Sequence, residues 1–393
     1  MGWNPPNNLT TSTVPTQLAF SPATAYMFPQ GTGKGTRHVV FQNQNEHLIE
    51  FHADDANKQH PDKWIPHDLT AAAGNAPLAY FAGLPSGYIW SKQPSQHVVY
   101  HGLNADKQVH ELWWTEGDGW NQHNLTKATN APLAYVSASP FGFETKYDQV
   151  QRVLYVGQDN STIHELFNHS GRWHHDLIAA EQPLAWEVTA YSFEGEGPSD
   201  QRPMANAGHA LVSTASRHIL EFINDPTGWE PPTDLTTLTG APLLGAVEGS
   251  AAVAMGYVFG HRTQHVIYVD ADGRIIELVW DDTVGWLQTP PYNDLTTGLG
   301  IITAKPGRPA CYAFEAEATQ HIFFVGTDSF VHELMWDGQG GFNGWHYNEL
   351  TSEALGSRPS RYNDVAAFVD EDKGTQNVFY VSDGDVIELQ WTP

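Results

Sequence analysis

The sequence predicts an all-β fold: a seven-bladed β-propeller of four-stranded blades. It reads as one domain over residues 1–393, with an N-terminal strand (residues 1–12) pairing with the last blade (365–393) to close the ring. Three observations carry this. Inside an apolar run, a glutamate followed by Leu or Phe recurs seven times, at Glu50, Glu111, Glu165, Glu221, Glu277, Glu333 and Glu388. Around each lies the same series of short apolar runs, in units of roughly 50–60 residues, with strand-like alternation and no 3.6-residue period. The repeat is also out of phase with the chain. Residues 3–10 form the run that ends every other unit, and the last unit stops at its glutamate run, residues 388–391. Pairing the two removes an exposed sheet edge.

Each unit supplies four strands in order. The first carries large residues two apart: Tyr26 and Phe28, Tyr88 and Trp90, Phe141 and Phe143, Tyr191 and Phe193, Tyr257 and Phe259, Tyr312 and Phe314, with Ala366 and Phe368 in the seventh. Such period-2 pairs are strand signals. The second strand is an apolar run mostly opened by Gln-His, as in QHVVY, QHVIY and QHIFF. The third holds the glutamate. The fourth begins at a tryptophan (Trp3, Trp64, Trp120, Trp173, Trp229, Trp286, Trp345) and ends in a polar-Leu-Thr stop, often followed by an Ala-Pro-Leu connector. Large residues at one place in every blade can simply wedge neighbouring blades. Unit four departs from the pattern: Gly208-His209 replaces Gln-His, and residues 193–208 read as a Gly- and Pro-rich surface insertion.

Composition narrows the function. Net charge is −26, from 19 Lys+Arg against 45 Asp+Glu. Such a surface repels phosphate backbones and anionic bilayers, so neither nucleic acid nor a membrane is an expected partner. A single cysteine, Cys311, allows no intrachain disulfide and no cysteine-based zinc site. The N-terminus has no basic start and no apolar stretch of signal-peptide length, so the expected location is cytoplasmic, or outside by release without a recognisable signal.

The chemistry-bearing pattern is a basic residue paired with each glutamate. His38 to Glu50, His265 to Glu277 and His321 to Glu333 are each 12 residues apart; His97 to Glu111 and Arg152 to Glu165 are 14 and 13. A hairpin of that length brings the two side chains together across adjacent strands. A carboxylate in an apolar strand needs such a donor or a wet mouth. Two uses fit. The pair can be a polar ladder that fixes blade geometry. It can also hold a sugar: the carboxylate accepts from neighbouring hydroxyls, the basic group donates, and an aromatic face packs the C–H side of a pyranose.

The order Tyr-x-Trp, QHVxY, VHEL, then W…DLT…AP resembles the seven-bladed propeller lectins of the Photorhabdus type, across all seven repeats, and more distantly the Aleuria-type fungal fucose lectins. The second resemblance implies pockets between blades in which an Arg, a Glu and an aromatic residue hold fucose. Carried over by position, the basic residues are His38, His97, Arg152, His265 and His321. The glutamates are Glu50, Glu111, Glu165, Glu277 and Glu333. The aromatics are Phe28, Trp90, Phe143, Phe259, Phe314 and Phe368. Only Arg152 keeps the arginine, most of the aromatics are Phe, blade four lacks the Gln-His pair, and blade seven has Asn377 with Glu388.

The resulting expectation is a multivalent lectin for fucose or related, modified sugars on glycans. It needs no cofactor or metal, and its oligomeric state is left open. A glycosidase would show two carboxylates at one centre that break the repeat, and none are apparent. Chelation by His174 and His175 is disfavoured because strand neighbours point to opposite faces. A protein-binding scaffold remains the alternative, since propellers are widely reused. Repetition of polar as well as apolar residues favours the lectin.

Overall fold

The computed structural model describes residues 2–10, 18–30, 34–54, 63–80, 83–103, 106–135, 139–145, 148–180, 185–194, 206–225, 227–245, 252–257, 262–281, 284–287, 292–338, 344–352, 358–359 and 364–393. Residues 195–205 of the expected insertion, and Phe259, lie outside this set.

Seven antiparallel sheets follow one another along the chain, six of them built from successive segments and the seventh completed by the N-terminus: the seven blades of a β-propeller. Blade two is typical, with strands Ser86–Trp90, Ser95–His101, Val109–Thr115 and Gly119–Asn124 paired in sequence order. In blades four, five and seven the outermost strand is split, as Gly228–Trp229 with Thr233–Asp234 in blade four. Blade seven takes its outer strand from the N-terminus. Gly2 pairs with Thr392 and Trp3 with Trp391, and Asn7 and Asn8 continue along the same strand. The side chains add Asn7 Nδ2 to Glu388 Oε2 at 3.0 Å and Asn8 Nδ2 to Asp385 Oδ2 at 2.7 Å.

The chain divides into two compact units. One comprises residues 8–192 with 384–386, and the other residues 1–7, 193–383 and 387–393. In the first, blades one and two share a core of Val40, Leu48, Leu69, Val98, Tyr100 and Leu112, and blades two and three one of Val99, Val109, Leu125, Val153, Tyr155 and Leu166. In the second, blades five and six pack Ile267, Ile275, Ile322, Phe324 and Leu334 together. Second and third strands are buried on both faces, which is why they read as continuous apolar runs rather than alternating ones.

The repeated short motifs have local explanations. In the polar-Leu-Thr stop, Asp68, Asn124, Asp234 and Asp294 cap one-turn helices by accepting from the backbone N–H three residues on. The threonine then accepts from an N–H at the start of the third strand: Thr70 from Leu48, Thr296 from Ile275, Thr351 from Val331 and Thr10 from Val386, all at 2.8–3.0 Å. In the Ala-Pro-Leu connector the proline carbonyl accepts from the tyrosine that ends the second strand, as in Tyr100 to Pro77, Tyr155 to Pro132 and Tyr268 to Pro242.

Candidate functional site: a tryptophan-lined cup on blade two

Each expected basic–acidic pair meets. The Nδ1 of His38, His97, His265 and His321 lies 2.8 Å from Oε1 of Glu50, Glu111, Glu277 and Glu333, and Arg152 Nη1 reaches Glu165 Oε1. A carboxylate only accepts, so Nδ1 is the donor in these pairs. The contact is diagonal: Trp113 stands opposite His97 and Val99 opposite Glu111, so residues two apart in register lean together. Blade four holds the same bond, His209 Nδ1 to Glu221 Oε1 at 2.9 Å, although no glutamine precedes its histidine.

The partners above the histidine come from its own strand. Thr36, Ser95, Thr263 and Thr319, two residues upstream, sit 2.6–2.9 Å from the histidine Nε2. On blades one, two and six the first aromatic of the pair, rather than the second, stacks on the imidazole: Tyr26 on His38, Tyr88 on His97 and Tyr312 on His321, with centroids 4.9–5.2 Å apart. On blade three the second, Phe143, stands opposite Arg152, and on blade five Ala254 stands opposite His265. Burial, followed by the neighbouring glutamate charge, pushes these tyrosine hydroxyls far above their usual range, so they act as donors. Tyr88 donates to Glu111 Oε1 at 3.1 Å. The second aromatics Phe28, Phe143, Phe314 and Phe368 are buried, at 1–9% exposure. Trp90 is half-buried; it presents its edge to His97 and donates from Nε1 to the Gln149 carbonyl at 2.9 Å.

What distinguishes the blades is the second glutamate oxygen. Oε2 of Glu277 accepts from Asn293 at 2.7 Å, that of Glu333 from Asn348 at 2.9 Å, and that of Glu388 from Asn7. Oε2 of Glu221 accepts from Trp286 of the next blade at 3.0 Å. On blade two the residue opposite Glu111 is His123. Among the described residues, no side chain donates to the Glu111 Oε2. It opens instead into a cavity of about 330 Å³ lined by Trp90, Ser95, His97, Trp113, Thr115 and His123 of blade two, with Gln151, Asn168, Gly171 and Trp173 of blade three. The floor is fixed before any ligand arrives. The Gln151 amide nitrogen stands 3.0 Å from His97 Nε2, and Asn168 Nδ2 donates to Gln151 Oε1 at 2.7 Å. Three indoles around one carboxylate and a few fixed polar atoms form a recess of mixed apolar and polar lining with convergent hydrogen-bonding groups, at the small end of ligand pockets (roughly 300–1,000 Å³).

Residue patterning points to His97, Glu111 and Trp90 in this cup but not to Trp113, Trp173, Gln151 or Asn168. Trp113 is two residues past Glu111 and therefore on its face, a signal available from strand alternation. Trp173 is one of the repeated fourth-strand tryptophans, here lining the neighbouring blade's recess. Gln151 is the Gln of the Gln-His motif, which in this position has Arg152 after it. The same glutamine bridges blades elsewhere: Gln320 Nε2 donates to Glu277 Oε1 at 3.0 Å, and Gln376 Oε1 accepts from Tyr312 at 2.7 Å.

Among solved structures, the chain superposes on the BP39L lectin from Burkholderia pseudomallei with a TM-score of 0.68, over 96% of each chain at 15% identity. AofleA from Arthrobotrys oligospora matches with a TM-score of 0.52, over 86% of this chain and 88% of that one, at 15% identity. The fucose-specific lectin from Aleuria aurantia matches with a TM-score of 0.52, over 85% of this chain and 97% of that one, at 15% identity. The chain has the fold of the propeller lectins. At these identities the likeness is one of architecture. No protein-family model and no curated protein sequence matches the chain.

Proposed function

We propose that the protein is a non-enzymatic, multivalent lectin, with its best-formed monosaccharide site in the cup between blades two and three. The observation that carries this reading is the Glu111 carboxylate, whose Oε2 takes no side-chain donor among the described residues, at a recess lined by Trp90, Trp113 and Trp173. Two neighbouring sugar hydroxyls would donate to the carboxylate, while His123 and Asn168 are placed to meet the remaining ones. The indole faces suit the apolar side of a pyranose, and a 6-deoxy sugar such as fucose, with a methyl in place of a hydroxyl, suits so aromatic a wall. The repeated pairs Arg152–Glu165, His265–Glu277 and His321–Glu333 are the corresponding positions of further sites, where on blades five and six a sugar would share the glutamate with Asn293 and Asn348. A single shallow sugar pocket binds in about the millimolar range. Several on one body gain avidity of about 10²–10⁴ on a glycan-covered surface.

The test is a glycan array, followed by monosaccharide titration of the wild type and Glu111→Gln with tryptophan fluorescence as the readout. The expected result is a saturable indole signal for one sugar class, with affinity reduced at least tenfold by the substitution. Absence of any glycan binding, or unchanged titration of Glu111→Gln, contradicts the proposal.

A further inference from the structure

The position of the cup recurs on blade one with different chemistry. There Glu50 lies opposite His67, as Glu111 lies opposite His123, and His52 takes the place of Trp113 two residues along the same strand face. One ligand atom from each of Glu50, His52 and His67 lies within 4.8 Å of the other two. The rings of His52 and His67 are 4.5 Å apart, and His67 Nδ1 stands 3.6 Å from Glu50 Oε2. Glu50 is already oriented: His38 Nδ1 holds its Oε1 at 2.8 Å, and His38 Nε2 is in turn fixed by Thr36 at 2.6 Å. The buried Nδ1 of His52 meets no hydrogen-bond partner among the described residues. A buried ring nitrogen left unsatisfied asks for an explanation.

We infer that blade one holds a divalent transition-metal ion of the zinc class on Glu50, His52 and His67. Two imidazoles and one carboxylate are the donor set of zinc sites that keep a fourth position open. Two nitrogen donors disfavour the hard cations calcium and magnesium. Bonds of about 2.0–2.1 Å to a tetrahedral ion place ligand atoms about 3.3 Å apart. The side chain of His67 is 46% exposed, and a small rotation of it would make that contraction, with water in the fourth position. His38 acts as the outer partner that fixes a ligand carboxylate. The other blades carry Trp113, Phe167, Ile223, Val279, Met335 and Gln390 where blade one has His52, so the second imidazole belongs to blade one alone. The ion needs no sugar and the blade-two cup needs no ion, so the two proposals fail independently.

The test uses the full chain, stripped with a chelator and titrated with Zn²⁺ by calorimetry, with Co²⁺ absorption as the coordination readout. Expected are one tight Zn²⁺ per chain, visible bands of four-coordinate Co²⁺, and no comparable response to Ca²⁺ or Mg²⁺. His52→Phe, which introduces the aromatic type that blade three carries as Phe167, should weaken that site at least tenfold and remove the bands. His67→Asn, altering an exposed ligand, should do the same and covers a failure of the first variant to fold. Either variant binding Zn²⁺ as the wild type does, or a wild type without a stoichiometric site, overturns the inference.

Discussion

At the scale of single residues, Glu277 balances burial against its hydrogen-bond partners. Burial alone would raise its pKa. The hydrogen bond and charge of His265, with further hydrogen bonds from Asn293 and Gln320, outweigh that and hold it below the ordinary 4.5. A carboxyl whose folded pKa lies below its unfolded one binds protons more weakly in the native state. Its contribution to stability is present above the unfolded pKa, near 4.5, and is lost as pH falls through the folded value. Melting temperatures of the wild type and Glu277→Gln between pH 7 and pH 3 should therefore converge towards acid, the variant being less stable at pH 7 and losing less on acidification. Parallel curves would show that the pair carries no such linkage. These pairs are legible in the sequence because a hairpin fixes the spacing at 12–14 residues. His209 is less legible because Gly208 stands where the motif has glutamine, and the role of Gln151 is hidden because it acts on the neighbouring blade rather than its own.

At the scale of elements, close approach between first strands explains how Tyr26 and Tyr88 stack on their histidines. Gly87 lies against the ring of Tyr26 and Gly142 against that of Tyr88, and a Cβ at either position would run into the ring. Each tyrosine is thus held between its own blade's imidazole and the next blade's backbone. Gly142→Ala should cost about 1–3 kcal/mol by overpacking, read as a lowered urea midpoint with an unchanged slope. An unshifted midpoint would mean that the ring has room to move. This packing also accounts for the limits of sequence reading. Period-2 aromatics correctly mark first strands, yet they do not tell which of the pair meets the histidine. That is decided by the register between first and second strands, where Tyr88 faces His97 and Trp90 faces Ser95. The Pro-carbonyl and Thr-hydroxyl contacts escape sequence reading for a related reason: they join segments some 17–26 residues apart that share no periodicity.

At the scale of the whole molecule, the repeat phase alone announces seven blades and a last blade completed by the first residues, because a unit that begins with its final strand leaves one edge to be filled. The pairing of Trp3 with Trp391, with Asn7 on Glu388 and Thr10 on Val386, is that completion. Deleting residues 1–12 removes several hydrogen bonds, each worth about 1 kcal/mol, and re-exposes a sheet edge. A large drop in melting temperature is expected, with association through the open edge seen by light scattering, whereas wild-type melting would refute closure by this strand. What the repeat does not announce is which blade is open. All seven units carry the glutamate, and whether its second oxygen is already taken depends on residues outside the repeated pair: the fourth-strand residue opposite it, such as Asn293, Asn348 or His123, or a neighbour from the next blade, as Trp286 is for Glu221. The central claim is that Glu111 and the three indoles around it hold a sugar. Its most direct test is diffraction from crystals soaked with the monosaccharide that scores highest on the array. The account predicts density for a pyranose ring against Trp90, Trp113 and Trp173 with two hydroxyls on Glu111 Oε2. Clear density for that recess without sugar, under conditions where the sugar binds in solution, would contradict it.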